Sequence, residues 1–174
     1  LPALERGGDV QHDDLVDAKA RPAVKARLAS IYRPVLNLVG TLPKAGEDPR
    51  VRERRALAWE MLADAEDPKA LGELAKLGRA ALGLDGPVAE VPADLKGTAI
   101  AAEVKLGGAP VFDKMVERLA TEKDSTMRRY ILAAVGGVED EALAARAREL
   151  SLDARLKTNE ILSTLWAQGS DVHT

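Results

Sequence analysis

Apolar residues recur at helical spacing between Pro110 and Trp166. Four successive segments, centred roughly every 15 residues, each place apolar side chains at positions i, i+3, i+4 and i+7, the pattern of a helix with one apolar stripe. Such a helix must bury its stripe against neighbours, and regular spacing with short turns favours a row of antiparallel pairs. The pattern therefore predicts an all-α fold, an α-solenoid of the HEAT-like type. The four stripes are Val111, Phe112, Met115, Val116 and Leu119; Met127, Tyr130, Ile131, Ala134 and Val135; Leu143, Ala147 and Leu150; and Leu162, Leu165 and Trp166.

The first half of the chain carries further apolar stripes, which proline and glycine residues separate. They predict helices over residues 22–39, 51–65, 68–82 and 94–106. Pro34 lies inside the first of these helices, so we expect a kink or a break at Arg33. The pair Gly107-Gly108 is expected to stop the fourth. In all, we expect eight or nine helices and no strand. The expected capping residues are Asp67, Asp94, Asp124 or Ser125, Asp140 and Asp153.

The N-terminal end is expected to differ from the helical middle of the chain. Residues 1–21 are predicted to form a loosely ordered or linking lead-in, in which His12, Asp13 and Asp14 could cap a short helix. The chain starts at Leu1 rather than at methionine. We interpret residues 1–174 as a single helical domain and expect it to be a fragment of a longer multidomain protein.

Composition and charge exclude several classes of function. The chain has no cysteine, which removes disulfides, cysteine-ligated zinc and thiol catalysis together. Its formal net charge is −3 and its basic and acidic residues are interleaved. The basic stripe that phosphate contacts require is therefore missing, which argues against a DNA-binding repeat protein. No apolar run reaches the length of a membrane span. The composition suits the cytoplasm and the periplasm equally, and its Ala/Arg-rich character favours a bacterial source.

Five tracts follow one another in a characteristic order. They are Tyr32-Arg33-Pro34 with the later Asp64-Ala65-Glu66-Asp67; Val91-Pro92-Ala93-Asp94-Leu95; Phe112-Asp113-Lys114-Met115; STMRRYILAAVGG from Ser125 to Gly137; and Leu156-Lys157-Thr158-Asn159-Glu160. Together they resemble the C-terminal helical domain of the zinc aminopeptidases, the family of aminopeptidase N, puromycin-sensitive aminopeptidase and the endoplasmic-reticulum aminopeptidases. The resemblance covers roughly residues 30–168.

The resemblance implies a domain with no chemistry of its own. Members of the family bind zinc through an H-E-x-x-H motif on a helix, whereas the two histidines here, His12 and His173, lie at opposite ends of the chain. Zinc is therefore expected in a catalytic domain outside this sequence, and no catalytic residue, metal ligand or cofactor is predicted within it. The implied role is that of a non-catalytic C-terminal domain. Its concave face would form one wall of a peptide chamber and contribute to substrate access and length selection.

The implied partners are the catalytic and other domains of the parent chain, together with the peptide substrate. A different interpretation stays open beside this one. The same helical pattern fits a stand-alone HEAT-like module that binds a protein partner on its concave face, with no enzyme attached. An H-E-x-x-H motif upstream of Leu1 in the reading frame would favour the peptidase interpretation, and an initiator methionine just before Leu1 would favour the adaptor.

Five residues are candidates for contact with a peptide. They are Arg128, Arg129, Lys157, Asn159 and Glu160. The two arginines fall in the first turn of a predicted helix, where positive charge is mildly unfavourable, so they could grip a peptide carboxylate or pair with a nearby acid. The other three correspond to positions on the chamber wall of the family. In the structural alternative, Glu160 is an acidic residue in the first turn of a helix, where the helix dipole favours it, and Lys157 is a solvated neighbour.

Two further features are interpreted as structural. The run Arg52-Glu53-Arg54-Arg55 is typical of a solvated helix face, with an interdomain salt-bridge surface as the alternative. Trp59 lies at helical spacing from Met61 and Leu62, which favours packing over a role as a ligand platform.

Overall fold

The computed structural model describes residue 17 and residues 19–161, and within that part of the chain every regular element is an α-helix. The prediction of an all-α, solenoid-like fold is confirmed. The predicted short helix after Asp14 and the last helix around Trp166 lie outside the described residues. No helix in the described part is long and apolar enough to cross a membrane. The helices are α1 Arg21–Val39, α2 Pro49–Asp64, α3 Pro68–Leu82, α4 Ala93–Arg118, α5 Ser125–Gly136 and α6 Glu141–Leu150.

Aspartate side chains begin four of these helices by accepting an N–H group of the first turn at 2.8–2.9 Å. Each bond satisfies a donor that the start of a helix leaves unpaired. The four are Asp48, Asp67, Asp124 and Asp140. The prediction for Asp94 is wrong, because Pro92 holds the cap position of α4 and Asp94 lies in the first turn. Asp153 caps no described helix; it accepts the backbone N–H of Arg155 in a turn.

Proline and glycine inside helices have different effects in α1 and α4. A kink or a break was predicted at Arg33; helix α1 continues through Pro34 to Val39, so a break does not occur. Helix α4 bends at Gly108, whose φ of 58° and ψ of −148° lie outside the helical region. A residue with a side chain is strained at such a φ, so glycine suits this position. The glycine pair therefore interrupts the helix where predicted, but the chain resumes helical geometry at once.

Neighbouring helices pack on one another and enclose two hydrophobic cores. The first core lies among α1, α2, α3 and the start of α4, and Trp59, Leu62 and Leu74 are almost completely buried in it. The second lies among α4, α5 and α6 around Phe112 and Ile131. Trp59 is thus a core residue, as predicted, and its indole N–H donates to the carbonyl of Thr41 at 3.1 Å.

Helices α3 and α4 approach each other most closely at Gly78. A Cβ atom at this position would lie 2.1 Å from the carbonyl oxygen of Ala99 on α4. Real side chains do not tolerate such a distance, because interiors are packed to crystal-like density. The absence of a side chain at Gly78 therefore lets the two helices form the central pair of the stack.

Arg55 is completely buried, so the prediction of a solvated face is wrong at this residue. Its guanidinium donates to the carbonyls of Val39 and Gly40, both at 2.8 Å, and to the Glu47 carboxylate at 2.5 and 2.7 Å. These contacts close the C-terminal end of α1, where a cation suits the helix dipole. The rest of the run, Arg52 to Arg54, is exposed.

Arg118 closes the end of α3 in a similar way. It donates to the carbonyl of Leu82 at 2.8 Å and to the Glu122 carboxylate at 2.9 and 3.0 Å. In both cases an arginine from another helix satisfies a carbonyl that the helix end leaves without an intrahelical partner. A glutamate from a loop then neutralises its charge. This arrangement fixes the turns that follow α1 and α3.

Candidate functional site

A groove of about 1290 Å³ runs across the molecule, with α4 as its floor. Helices α1 and α2 contribute one wall, and α5 and α6 contribute the other. Pockets for small molecules usually enclose about 300–1,000 Å³, so this groove is larger than most of them and has room for an extended segment of a polymer. It is the candidate functional site.

Small residues line the floor of the groove. Gly97 and Ala101 of α4 face it, as does Ala133 of α5. Tyr32 of α1 and Tyr130 of α5 stand on opposite walls. At these three small residues a ligand can approach the helix backbone, while the tyrosines offer apolar surface with a polar tip. The surface suits a chain with both apolar side chains and backbone hydrogen-bonding groups.

Tyr130 also explains why one floor position is a glycine. A Cβ atom at Gly97 would lie 3.2 Å from Cδ1 of Tyr130, which is tighter than ordinary van der Waals contact. The Tyr130 hydroxyl donates to the carbonyl of Ala93 at 3.4 Å, so the side chain meets α4 at two positions, about one helical turn apart. The ring position therefore depends on the groove floor.

Four charged residues of the groove form a continuous set of ion pairs. Glu66 lies 2.9 Å from Nζ of Lys25 and 2.7 Å from Nζ of Lys105. Lys105 in turn lies 2.6 Å from Glu139. These residues come from α1, the α2–α3 turn, α4 and the α5–α6 turn, so the ion pairs cross the groove from one wall to the other.

The ion pairs shift the pKa values of their members toward the charged forms. Hydrogen bonds from Lys105 and Lys25 lower the pKa of Glu66 to about 2. Burial opposes the charged form of Lys105, but its bonds to Glu139 and Glu66 outweigh burial and raise its pKa. All the charges in the set are therefore matched, and the groove presents little net charge along this line.

The predicted candidates Arg128 and Glu160 bind each other away from the groove. Arg128 is 3% exposed and Glu160 is 8% exposed. The guanidinium donates from Nε to Oε1 at 2.7 Å and from Nη2 to Oε2 at 2.6 Å, which is a bidentate ion pair. This pair lowers the pKa of Glu160 to about 2 and raises that of Arg128.

The remaining donors of Arg128 are also used. Nη1 donates to the carbonyls of Leu119 at 2.5 Å and Glu122 at 3.3 Å, and Nη2 donates to that of Arg155 at 2.9 Å. A guanidinium has five N–H groups, so this count exhausts it. The geometry gives Arg128 a structural role. This agrees with the alternative in which Arg128 forms an ion pair with an acidic residue, and the partner is Glu160, which is distant in the sequence.

The other three candidates, Arg129, Lys157 and Asn159, are exposed. The Arg129 guanidinium lies 5.6 Å from the ring centroid of Tyr130. The backbone N–H of Lys157 donates to Glu160 at 2.9 Å. None of the five candidates is among the described residues that line the groove. Peptide contact by these five residues stays a prediction.

Sequence reasoning missed the four charged groove residues. Lys105 is 39 residues from Glu66 and 34 residues from Glu139 in the chain, and no local pattern links them. One signal was available: Glu66 follows the end of α2, at a position that glycine usually occupies. An acidic residue there is a reason to look for a partner.

Metal binding has no support in the described part of the chain. No group of three histidine, cysteine, aspartate or glutamate side chains between residues 19 and 161 lies close enough to hold an ion. A zinc site of the kind that the family uses needs at least three protein ligands. The described residues do not fit a resident metal.

Comparison with known proteins agrees with the helical architecture. A model of the family described as "ERAP1-like C-terminal domain" matches residues 10–172, which is nearly the whole chain. The match includes all five tracts on which the predicted resemblance rests, and it confirms that resemblance. A search of curated proteins found no match to this sequence.

Proposed function

Because this chain belongs to the family of ERAP1-like C-terminal domains, we propose that it is the non-catalytic C-terminal domain of a zinc-dependent aminopeptidase, in which its groove forms one wall of a chamber for the peptide substrate. The parent enzyme would remove amino-terminal residues from peptides. This domain would associate with the catalytic domains of the parent chain and would contribute the shape of the chamber.

The groove across α4 is the observation that carries this proposal. Its volume of about 1290 Å³ exceeds that of most small-molecule pockets and has room for several residues of an extended peptide. The small side chains at Gly97, Ala101 and Ala133 leave room for a peptide backbone of any sequence. The matched charges of the ion pairs avoid a strong preference for acidic or basic peptides.

Substrate access and length selection follow from steric contact. A wall that stands apart from the catalytic centre contacts only peptides that are long enough to reach it. Binding energy gained at this distance from the scissile bond can favour long substrates over short ones. The concave wall also excludes folded proteins, which cannot enter the groove.

Zinc belongs to the proposed parent enzyme and not to this domain. The described residues provide no set of ligands for it, so we assign no chemical step to them. The proposal places zinc in the catalytic domain, as the resemblance implies.

Two variants, each with one alanine replaced by tryptophan, test the proposed groove. Ala101→Trp fills the floor of the groove, whereas Ala26→Trp adds the same bulk to an exposed position of α1 that does not line it. We expect Ala101→Trp to weaken the binding of a long mixed-sequence peptide to the purified chain by about tenfold or more, which corresponds to ~1.4 kcal/mol. Ala26→Trp should leave the affinity unchanged. Fluorescence anisotropy with a labelled peptide measures both.

The same two variants should be compared in the full-length aminopeptidase. Ala101→Trp is expected to reduce the preference for long peptides over short ones, with turnover of a dipeptide substrate unchanged. Unaltered peptide affinity and unaltered length preference in Ala101→Trp would contradict the proposed role of the groove.

A further inference from the structure

We propose that the ion pairs of Lys25, Glu66, Lys105 and Glu139 form a groove strap, a conformational device that holds the two walls of the groove at a fixed separation and loosens as ionic strength rises. This inference goes beyond the proposed function, because it concerns the shape of the groove whatever molecule occupies it.

Lys105 is the centre of the strap. It projects from α4, the floor of the groove, and binds the carboxylates of Glu66 and Glu139 at 2.7 and 2.6 Å. Glu66 lies between α2 and α3 on one side, and Glu139 lies between α5 and α6 on the other. One ammonium group therefore joins turns that belong to opposite walls. Lys25 extends the strap to α1 through its contact with Glu66 at 2.9 Å.

The backbone of Glu66 provides a second, independent observation. Its φ is 52°, and it is the single non-glycine residue with a positive φ among the residues that the structure describes. Glycine normally follows a helix end in this left-handed conformation, because a side chain is strained there. At the corresponding end of α3 the residue is Gly83, with a φ of 65°. A glutamate at the strained position, bound by two lysines, indicates that the carboxylate itself is required.

The exposure of the strap explains why salt should loosen it. The side chains of Lys25, Glu66 and Lys105 are 33%, 37% and 35% exposed, and that of Glu139 is 60% exposed. Dissolved ions can reach charges at this depth. Their screening length falls from about 8–10 Å at ordinary salt concentrations to about 3 Å near 1 M, which matches the separation of these ion pairs, so the strap should loosen as salt approaches the molar range. The two hydrophobic cores beneath the groove consist of apolar side chains, whose burial is not an attraction between charges. The walls should therefore move before the helices unfold.

Distance measurements across the groove test the strap directly. The chain has no cysteine, so Ala26→Cys on α1 and Glu149→Cys on α6 can each receive a nitroxide label at an exposed position. Electron–electron double resonance then gives the distribution of distances between the walls. We expect a shift or a broadening of this distribution in Lys105→Met and, progressively, in the unchanged chain as sodium chloride is added. Lys105→Arg should keep most of the original distribution.

Two further variants separate the strap from other effects. Lys114→Met removes an exposed charge from the same helix and should leave the distances unchanged. Glu66→Gly relieves the positive φ but removes the carboxylate, so it should alter the distances as Lys105→Met does. Circular dichroism checks that each variant is folded; if Lys105→Met is not, the salt titration of the labelled chain decides. Distances that stay the same in Glu66→Gly and at high salt would overturn the proposal, and so would an equal change in Lys114→Met.

Discussion

At the scale of single residues, Arg128 shows how one buried side chain can organise a segment without regular structure. Its guanidinium holds the end of α4, the turn before α5 and residues 155–160 together. The desolvation of a buried charge is costly, and the pair is stable only because every donor has a partner. Removing one member therefore costs more than the net value of the pair.

Arg128→Met should lower the free energy of unfolding by about 3 kcal/mol or more, because it leaves the Glu160 carboxylate buried without its counter-ion. Arg129→Met is the matched control, since the neighbouring arginine is exposed, and it should change stability by no more than about 0.5 kcal/mol. Urea unfolding followed by circular dichroism measures both. Equal effects of the two substitutions would show that Arg128 is not the structural residue described above.

Acid should destabilise the chain through Glu66, Asp153 and Glu160, because their ion pairs lower the pKa values of these carboxyl groups from ordinary values of 3.8–4.5 to about 2. A lowered pKa means that the folded state binds a proton less readily than the unfolded state. The stabilisation is present in full above about pH 5 and is lost as the pH falls toward 2. Denaturant midpoints between neutral pH and about pH 3 measure the loss. Glu160→Gln should flatten this dependence, and an unchanged slope in that variant would contradict the assignment.

At the scale of helices, the sequence was enough to predict that the helices exist and in which order they follow, because apolar stripes and capping residues are local signals. Asp67 and Asp140 begin helices as predicted, and the Gly107-Gly108 pair interrupts α4. The burial of Arg55 was not predictable, since its partners lie in a loop and at a helix end that only the fold brings near. The groove was equally unpredictable, because charged residues that contact one another there are 34 and 39 positions apart in the chain.

Two glycines of α3 provide an internal comparison of helix propensity and packing. Gly72 has open space where a Cβ would lie, whereas at Gly78 that atom would meet the backbone of α4. Gly72→Ala should stabilise the chain by about 0.5–1 kcal/mol, because alanine favours the helix. Gly78→Ala should destabilise it by about 2 kcal/mol or more, because the steric conflict outweighs the same gain. Thermal unfolding of both variants checks the contrast, and the same sign of effect in both would disprove the close approach.

At the scale of the whole molecule, the family and the groove together favour a scaffold over a catalyst. The family is shown by a match over residues 10–172, and the groove is a property of six helices rather than of any one motif. Sequence reasoning identified the family from short tracts but could not locate the groove or say which helices form its floor. Concavity depends on how helices are inclined to one another, and the apolar pattern does not specify that angle.

The purified chain should not hydrolyse an aminoacyl fluorogenic substrate, even when zinc is supplied. The described residues offer no ligand set for the metal, so added zinc has no site among them from which to activate water. The proposed full-length aminopeptidase under the same conditions is the positive control. Robust hydrolysis by the isolated chain that a chelator abolishes would contradict the assignment as a non-catalytic domain.

Helix α4 contributes to both hydrophobic cores, and this limits how the protein can be shortened. Leu95 and Ala99 of α4 complete the first core, while Ile100 and Val104 of the same helix belong to the second. A cut before α4 would remove a wall from one core, and a cut after it would remove a wall from the other. Unlike arrays that tolerate trimming one unit at a time, this chain should lose both halves of its structure together, and shortened versions are best designed to keep α3, α4 and α5 intact.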